Sequence, residues 1–177
     1  MQLHNGVIGR SSLCEPEDEI VKRTSFEKAE CPVARSLDAI GDWWSLLIIR
    51  DALLGIRRFG GFQKSLGLAR NILTVRLRAL VDHGILKTAP ASDGSAYQEY
   101  LLTPKGRGVF PVLVALRQWS EEFSFSPGAC ATRLVDRDKG RPVRKLELRA
   151  RDGRLLGVGD TEIRPNPGAK RRQRSLA

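Results

Sequence analysis

The amino-acid sequence predicts a mainly α, α+β fold on three observations. Between residues 31 and 84, apolar side chains recur at the spacing of amphipathic helices, which predicts four helices in succession. From residue 85 the apolar pattern changes to that of short strands around a polar turn, which predicts a hairpin. A further helical pattern covers residues 103–123, and short alternating segments follow it. We therefore expect a long helix and then a small C-terminal β-meander.

The first two helices are defined by their start signals. Cys31 and Pro32 open a short helix that reaches Ile40, because proline suits the first helical position. Asp42 is a suitable N-cap for the next helix, at residues 43–54. That second helix is apolar nearly all round, so we expect it at the centre of the core.

The next two helices have helix-turn-helix spacing. A short helix at residues 59–66 is followed by a three-residue turn that contains Gly67. A longer helix, at 69–83, ends before Gly84, which suits a left-handed cap. The inward side of this helix is predicted to hold Leu73, Leu77 and Leu80, and its outward side Asn71, Thr74, Val75 and Arg78. This arrangement is typical of a helix-turn-helix.

The predicted hairpin extends that motif. Its strands are residues 85–89 and 97–102, and Asp93 with Gly94 marks the turn between them. A hairpin directly after a helix-turn-helix is a wing. The sequence therefore predicts a winged helix-turn-helix.

The long helix is predicted to pair two subunits. It begins at Thr103 and Pro104, an N-cap residue and a first-turn proline, and Pro111 is expected to kink it. Five of its apolar residues follow the 3-4-3-4 spacing of paired helices. This predicted dimer interface consists of Val109, Val112, Leu116, Trp119 and Phe123.

Several short motifs fall in the order found in a known family. They are Cys31-Pro32-Val33, Ile40-Gly41-Asp42-Trp43-Trp44, Leu53-Leu54-Gly55, Arg58-Phe59, Leu73-Thr74-Val75-Arg76-Leu77, Asp82-His83-Gly84-Ile85-Leu86 and Tyr100-Leu101-Leu102-Thr103-Pro104-Lys105-Gly106. As a set they resemble the HxlR-type winged helix-turn-helix transcriptional regulators, relatives of the MarR group, over about residues 31–125. The resemblance implies a homodimer with both recognition helices in successive major grooves of a pseudo-palindrome. It also implies repression or activation of nearby genes in response to a small molecule or an oxidant.

The chain departs from the family pattern in three places. Family members often have a serine where this chain has Ala69, and the wing tip at residues 92–95 is less basic than in many members. The C-terminal segment resembles a zinc-ribbon-like extension of longer members, but residues 131–177 contain no cysteine or histidine. Because a tetrahedral zinc site needs thiolate or imidazole ligands, we expect no metal and no cofactor there.

Composition divides the chain into four parts. We predict a flexible N-terminal arm at residues 1–30, the winged helix-turn-helix with its dimer helix at 31–125, a small β-rich appendage at 126–163 and a disordered basic tail at 164–177. The net charge of +10 favours a polyanionic partner such as double-stranded DNA. Without a membrane span or a signal-peptide core, the protein is expected in the cytoplasm.

DNA contacts are assigned by side-chain chemistry. Asn and Arg can each make two hydrogen bonds to a purine edge, Thr can bond a phosphate or a base, and Val offers a methyl surface, so base reading is assigned to the outward side chains at 71, 74, 75 and 78. Arg70, in the first turn of the same helix, suits a phosphate. Backbone contacts are predicted for Arg57, Arg58, Gln63, Lys64 and Ser65, and wing contacts for Lys87 and Ser95. The alternative for Arg58 and Arg76 is a structural role, with their stems packed on apolar surface.

Cys31 is a redox-sensing candidate. A helix N-terminus can increase the reactivity of a thiol, and the family resemblance implies a sensor cysteine at the matching Cys-Pro position. The alternative is a buried, inert cysteine. Cys14 and Cys130 are candidate disulfide partners.

The function predicted from the sequence is that of a sequence-specific DNA-binding transcriptional regulator. Catalysis finds no support, because the sequence contains no nucleophile-and-base arrangement, phosphate-binding loop or dinucleotide fingerprint. A core or interface role is expected for Trp43, Trp44 and Trp119, with an aromatic-lined pocket as the alternative. The alternative function is a winged-helix interaction module, in which the tail at 164–177 binds nucleic acid nonspecifically.

Overall fold

The computed structural model describes residues 25–126 and 128–167. The helices are α1 (Pro32–Ile40), α2 (Trp43–Leu53), α3 (Phe59–Leu66), α4 (Arg70–Asp82), α5 (Pro104–Arg107) and α6 (Phe110–Phe123), and the strands are β1 (Leu86–Pro90) and β2 (Gln98–Leu102). The two strands form an antiparallel sheet. This architecture confirms the predicted mainly α fold class.

The chain divides into two units, Met1–Gly41 and Asp42–Ala177. In the described part of the first unit, α1 begins directly after Cys31, as predicted, with a proline in its first turn. The carboxylate of Asp38 accepts hydrogen bonds from the Ser25 hydroxyl (3.0 Å) and the Phe26 amide (3.1 Å). These bonds fasten the segment before α1 to that helix.

The second unit is built around α2. Asp42 caps this helix as predicted, because its carboxylate accepts a hydrogen bond from the Ser45 amide (3.0 Å). Ile48 and Ile49 are fully buried, and α2 contacts α3, α4, β2 and α6. The core is completed by Phe62, Leu73, Leu77, Leu80, Ile85 and Leu86. Burial of these large apolar side chains is the main stabilising contribution.

In the helix-turn-helix, α3 has the predicted bounds, and α4 is one residue shorter at each end than the predicted 69–83. Helix α3 ends at Gly67, whose φ of +64° lies in the left-handed region that favours glycine. After a three-residue turn, α4 buries its inward leucines in the core, and Gly84 (φ +66°) follows its C-cap. Burial of the inward side therefore fixes which side of α4 faces outward.

The wing, residues 86–102, pairs Leu86 with Leu102 and Pro90 with Gln98. Each strand begins one residue later than predicted. In β1 this is because the Ile85 amide donates to the Leu80 carbonyl (2.9 Å) and so belongs to the end of α4. The wing is fixed to the chain before α3, since the Tyr100 amide donates to the Arg57 carbonyl (2.7 Å).

The long helix predicted after Thr103 is interrupted. Thr103 caps α5 as expected, but α5 ends at Arg107, and Pro111 lies in the first turn of a separate helix, α6. At Gly106, α5 approaches the end of α4 so closely that an added Cβ would lie 2.3 Å from the Ile85 carbonyl oxygen. The interruption therefore lets α5 stay against the hairpin while α6 follows a direction of its own.

The appendage lacks the predicted strands, which is a correction to the β-meander. Residues 128–167 contain only two isolated bridges, Val135 with Pro142 and Arg149 with Leu155, and one 3-10 turn at Val158–Asp160. In the alternating segment 144–150, backbone pairing is confined to its end, where the Ala150 amide donates to the Arg154 carbonyl (2.8 Å) and the Leu148 carbonyl accepts from the Leu156 amide (2.9 Å). At its start a side chain takes the place of a neighbouring strand. The Gln118 amide group donates to the Arg144 carbonyl (3.0 Å) and accepts from the Leu146 amide (2.8 Å).

Some predictions lie outside the described residues. They are the arm at residues 1–24, Cys14, and the tail from residue 168 onward. Within the described ranges, no helix is long and apolar enough to cross a membrane. The same ranges hold no cluster of three or more His, Cys, Asp or Glu side chains that could bind a metal ion.

Candidate nucleic-acid interface

The outer face of α4, defined by Arg70, Asn71, Thr74, Val75 and Arg78, is exposed along its whole length. The side chains of Asn71 and Arg78 make no hydrogen bond to any described residue, so their donors are available to a partner. Val75 presents an apolar side chain with 60% of its surface exposed. The structure thus brings together the five α4 residues that the sequence assigned to DNA.

Thr74 has a narrower chemistry than expected. Its hydroxyl donates to the Arg70 carbonyl (2.8 Å), one turn earlier in α4. Because a hydroxyl carries one proton, Thr74 has no donor left, but its oxygen can still accept a hydrogen bond and its methyl group remains free.

Arg70 lies where a phosphate is best placed. It is the first residue of α4, and its guanidinium lies 5.7 Å from the centre of the Phe59 ring, a cation–π contact that orients it. Ala69, the N-cap, supplies no side-chain hydrogen bond, so the first amides of α4 lack the cap that serine would provide.

Two of the three candidates on α3 are free. Lys64 and Ser65 are exposed at the C-terminal end of that helix. Gln63 is half-buried, and its amide nitrogen donates to the Leu68 carbonyl across the turn (3.4 Å). Gln63 therefore serves the geometry of the turn, which weakens its assignment to DNA.

Arg58, the N-cap of α3, is held by two acids of the wing. Its guanidinium is hydrogen-bonded to the Asp93 carboxylate and lies 3.7 Å from Glu99. The Arg58 hydrogen bond, with those from the Ser95 hydroxyl and amide, keeps the pKa of Asp93 far below its usual range. The pKa of Arg58 is raised in turn, mainly by Asp93. This contact supports the structural alternative for Arg58.

Glu99 is the functional residue that sequence reasoning missed. It is only 5% exposed, and its carboxylate accepts from the Ser92 hydroxyl (3.2 Å) and lies 3.9 Å from Arg57. A buried carboxylate must be paired, and here it anchors both arginines to the wing. The signal in the sequence was a single acid inside a predicted strand, and nothing near the two arginines in the sequence points to it.

The wing candidates differ in availability. Lys87 is exposed on β1 and makes no ion pair with a described residue. Ser95 is committed to the wing tip, because its hydroxyl donates to Asp93 (2.7 Å).

Between wing and helices lies a cavity of about 500 Å³ lined by Arg58, Phe59, Gly60, Gly61, Arg70, Tyr97, Gln98 and Tyr100.

Arg76 has a structural role, but through an ion pair and not through the expected packing of its stem. Its Nε lies 3.4 Å from the Asp42 carboxylate, so it ties α4 to the start of α2.

The predicted dimer residues on α6 separate into two groups. Val109 is only 7% exposed and belongs to the core of its own protomer, which removes it from the predicted interface. It turns inward because it lies in the break between α5 and α6. The other four form an exposed apolar stripe, defined by Val112, Leu116, Trp119 and Phe123. The last two rings pack together at 5.9 Å.

The cysteines and the remaining tryptophans lie at different depths. Cys31 is exposed, which rules out the buried alternative, whereas Cys130 is half-buried with its sulfur 3.4 Å from the Thr132 carbonyl oxygen. Trp43 is exposed and packs edge-on against the half-buried Trp44, with 6.2 Å between ring centres.

A family model described as HxlR-like helix-turn-helix matches residues 39–126. Rv3095 of Mycobacterium tuberculosis, an uncharacterized HTH-type transcriptional regulator, is 34% identical over 138 residues, which cover 78% of this chain and 87% of that protein. In Synechocystis, the uncharacterized HTH-type transcriptional regulator sll1512 is 35% identical over 99 residues, or 53% of this chain and 73% of that protein.

Two solved structures are similar over most of the chain. PA1607, described as a candidate transcription factor, matches with a TM-score of 0.77 and 57% identity, covering 81% of this chain and 100% of that one. PA1374 of Pseudomonas aeruginosa, described in the same way, matches with a TM-score of 0.58 and 41% identity, covering 80% and 96%. These matches are longer than the span of the family model, so they include sequence outside residues 39–126.

Proposed function

This chain belongs to the HxlR-like helix-turn-helix family and is a transcriptional regulator, not an enzyme; from this premise we propose that it binds double-stranded DNA as a homodimer at a pseudo-palindromic operator in the cytoplasm. The observation that carries the proposal is the outer face of α4. Its inward side is buried, and its outward side presents free donors and methyl groups. Those groups match the base edges of a major groove.

Each side chain of this face has a proposed role. Asn71 and Arg78 read bases through paired hydrogen bonds, while Thr74 and Val75 present methyl groups to thymine. Arg70, oriented by the Phe59 ring, binds a phosphate beside the uncapped start of α4. Lys64 and Ser65 add sequence-independent backbone contacts from α3.

The apolar stripe of α6 is the proposed dimer surface. Four large apolar side chains in the spacing of paired helices are exposed, including Trp119 at 60% and Phe123 at 67%. Exposed apolar patches of this kind are typical of interaction sites. A two-fold dimer buries the same patch on both copies.

The wing makes a limited contribution to DNA affinity in this proposal. Lys87 and Ser95 lie on it, but Asp93 places a negative charge at the tip and occupies Arg58 and the Ser95 hydroxyl. A phosphate would have to compete with that carboxylate. Affinity is therefore assigned mainly to the helices.

The proposed input signal is a small molecule or an oxidant. Cys31 supports the oxidant, because its thiol is exposed directly before the first turn of α1. Cys31→Ser should then abolish the response of DNA binding to a thiol oxidant, whereas Cys130→Ser should preserve it.

The test compares the protein's own promoter region with random DNA of equal length across a salt series, with and without a thiol oxidant. We expect a preference for the promoter that persists as salt rises. Equal binding that collapses together with salt would instead indicate the interaction module with nonspecific binding. Deleting residues 164–177 separates the two functions, because only nonspecific binding through the tail should be lost with them.

A further inference from the structure

A second cavity has a volume of about 530 Å³. It is bounded by the C-terminal end of α2, by β2 and by the start of α5. Leu53, Leu101 and Pro104 give it apolar surface, and the cations Arg57, Lys87 and Arg107 surround that surface. None of the described residues that line it is acidic.

The three cations retain unused hydrogen-bond donors. Lys87 has no anionic partner among the described residues. Arg107 donates through one terminal nitrogen to the Leu102 carbonyl (2.9 Å), which fixes the side chain and leaves its other nitrogens free. For Arg57 the nearest carboxylate is Glu99, at a loose 3.9 Å. The cavity therefore concentrates three cations, for which the carboxylate partner among the described residues is Glu99, 3.9 Å from Arg57.

We propose that this cavity binds a small multivalent organic anion, either a di- or tricarboxylate or a phosphate ester. Its volume falls in the usual range for small-molecule sites, about 300–1,000 Å³. Two guanidinium groups and an ammonium suit an anion with two or more charged groups, because arginine binds carboxylate and phosphate in pairs of hydrogen bonds. The leucine surface suits a short carbon skeleton.

Binding there should oppose DNA binding, a step that rests on the proposed function. Lys87 is also a candidate DNA contact, and a bound anion would neutralise it. Arg57 would move its charge from Glu99 to the ligand, and Glu99 is the buried acid that holds Arg58 and Ser92 on the wing. One anion would thus reduce the positive charge of the DNA face and loosen the anchor of the wing.

The experiment uses the full chain with citrate and inorganic pyrophosphate as separate probes, at constant ionic strength against chloride. Calorimetry without DNA measures binding of each probe, and fluorescence anisotropy measures promoter affinity with and without it. We expect at least one probe to bind and to weaken promoter binding about fivefold or more. Arg107→Gln should lower probe affinity about tenfold and leave promoter affinity in chloride within twofold, because Arg107 is not on the DNA face.

The matched control is Arg151→Gln, which removes an exposed cation of the appendage and should leave probe binding unchanged. If Arg107→Gln does not fold by circular dichroism, Lys87→Gln replaces it in the calorimetric arm. Failure of both probes to bind, or equal binding by wild type and the cavity variant, would overturn the inference. Probe binding that depends on Arg107 in a protein without promoter preference would preserve the site and overturn the proposed function instead.

Discussion

Arg58 and Asp93 are 35 positions apart in the sequence, and their side chains join the start of α3 to the tip of the wing. The same guanidinium lies 3.7 Å from the buried Glu99, so one arginine is shared between the turn and a strand of the hairpin. Arg58, which the sequence analysis predicted to contact DNA, is therefore paired with carboxylates of its own chain. The wing of this regulator is held by charge as well as by its strand pairing.

Asp93→Asn should show how much of this fastening depends on charge. The folded state holds the pKa of Asp93 below its usual range, so its contribution to the free energy of unfolding is present above the unfolded pKa of about 4 and is lost as the pH falls further. Wild type should be more stable than the variant at pH 7, and the gap should begin to narrow as the pH falls below about 4, closing only as the pH passes through the much lower pKa of folded Asp93. Urea titrations from pH 7 to pH 3 measure the difference.

The control for that series is Asp138→Asn, since Asp138 is exposed and has no partner among the described residues. Its effect should be small and independent of pH. A constant gap between Asp93→Asn and wild type down to pH 3 would contradict the assignment.

In the DNA assay Asp93→Asn should tighten binding to all sequences, because it releases Arg58.

Arg78→Ala and Lys64→Ala should separate base reading from backbone contact. Loss of a bidentate base contact costs about 1–3 kcal/mol of discrimination, so Arg78→Ala should relax sequence preference. Lys64→Ala should weaken binding to all sequences equally and reduce the salt slope by about 1. Affinities for promoter and random DNA, measured across a salt series, give both quantities.

The control is Arg151→Ala, which removes one positive charge from the appendage, outside the proposed DNA-binding residues. If Arg78→Ala and Lys64→Ala weakened promoter and random DNA to the same extent, the recognition face would be assigned wrongly.

Leu116→Glu and Trp119→Glu should each dissociate the proposed dimer. Both side chains belong to the exposed apolar stripe, so a charge there is tolerated in a monomer but would be buried without a partner in a two-fold interface. Sedimentation velocity should show a monomer, and promoter affinity should fall because only one half-site is engaged. Leu54→Glu, an equally drastic change at an exposed leucine outside the stripe, should stay dimeric. A dimer that survives both stripe variants would place the interface elsewhere.

Gln118→Ala should loosen the backbone of residues 144–146 against α6, while the Arg117–Thr132 and Lys145–Glu122 contacts remain. The side-chain amide of Gln118 makes both hydrogen bonds to the backbone around residue 145, each worth about 1 kcal/mol. The Leu146 amide, which donates to Gln118, should exchange its hydrogen faster in the variant, as measured by NMR. Gln98→Ala, at an exposed position on β2, should leave this exchange rate unchanged. Unaltered protection of Leu146 in Gln118→Ala would mean that other contacts hold the appendage.

Local patterns were sufficient to predict much of the fold. The observed bounds of α3 equal the predicted ones, and those of α4 and of the wing strands differ by about one residue. These bounds could be predicted because the spacing of apolar residues, the capping residues and the turn glycines each depend on only a few neighbouring positions. Asp42, Gly67 and Gly84 all act as predicted. The outer face of α4 followed from the same periodicity, so its exposure could be predicted although its DNA contacts remain a prediction.

Features that depend on distant neighbours could not be predicted in this way. The interruption before Phe110 follows from the close approach of α5 to Ile85, and Val109 turns inward there despite its helical spacing. The alternation at 144–150 matched a strand, yet the start of this segment bonds to the side chain of Gln118 and not to a strand. Arg58 looked like a DNA contact because nothing near it in the sequence reveals Asp93 or Glu99.

The absence of a side chain at Gly106 has a mechanical consequence. With its backbone against the Ile85 carbonyl, α5 lies directly on the segment that joins α4 to the wing, so we expect α4, α5 and the wing to move together. In the proposed dimer, the distance between the two recognition helices would then be fixed. An operator lengthened by one base pair between its half-sites would be rejected for its dimensions, even with every base contact preserved.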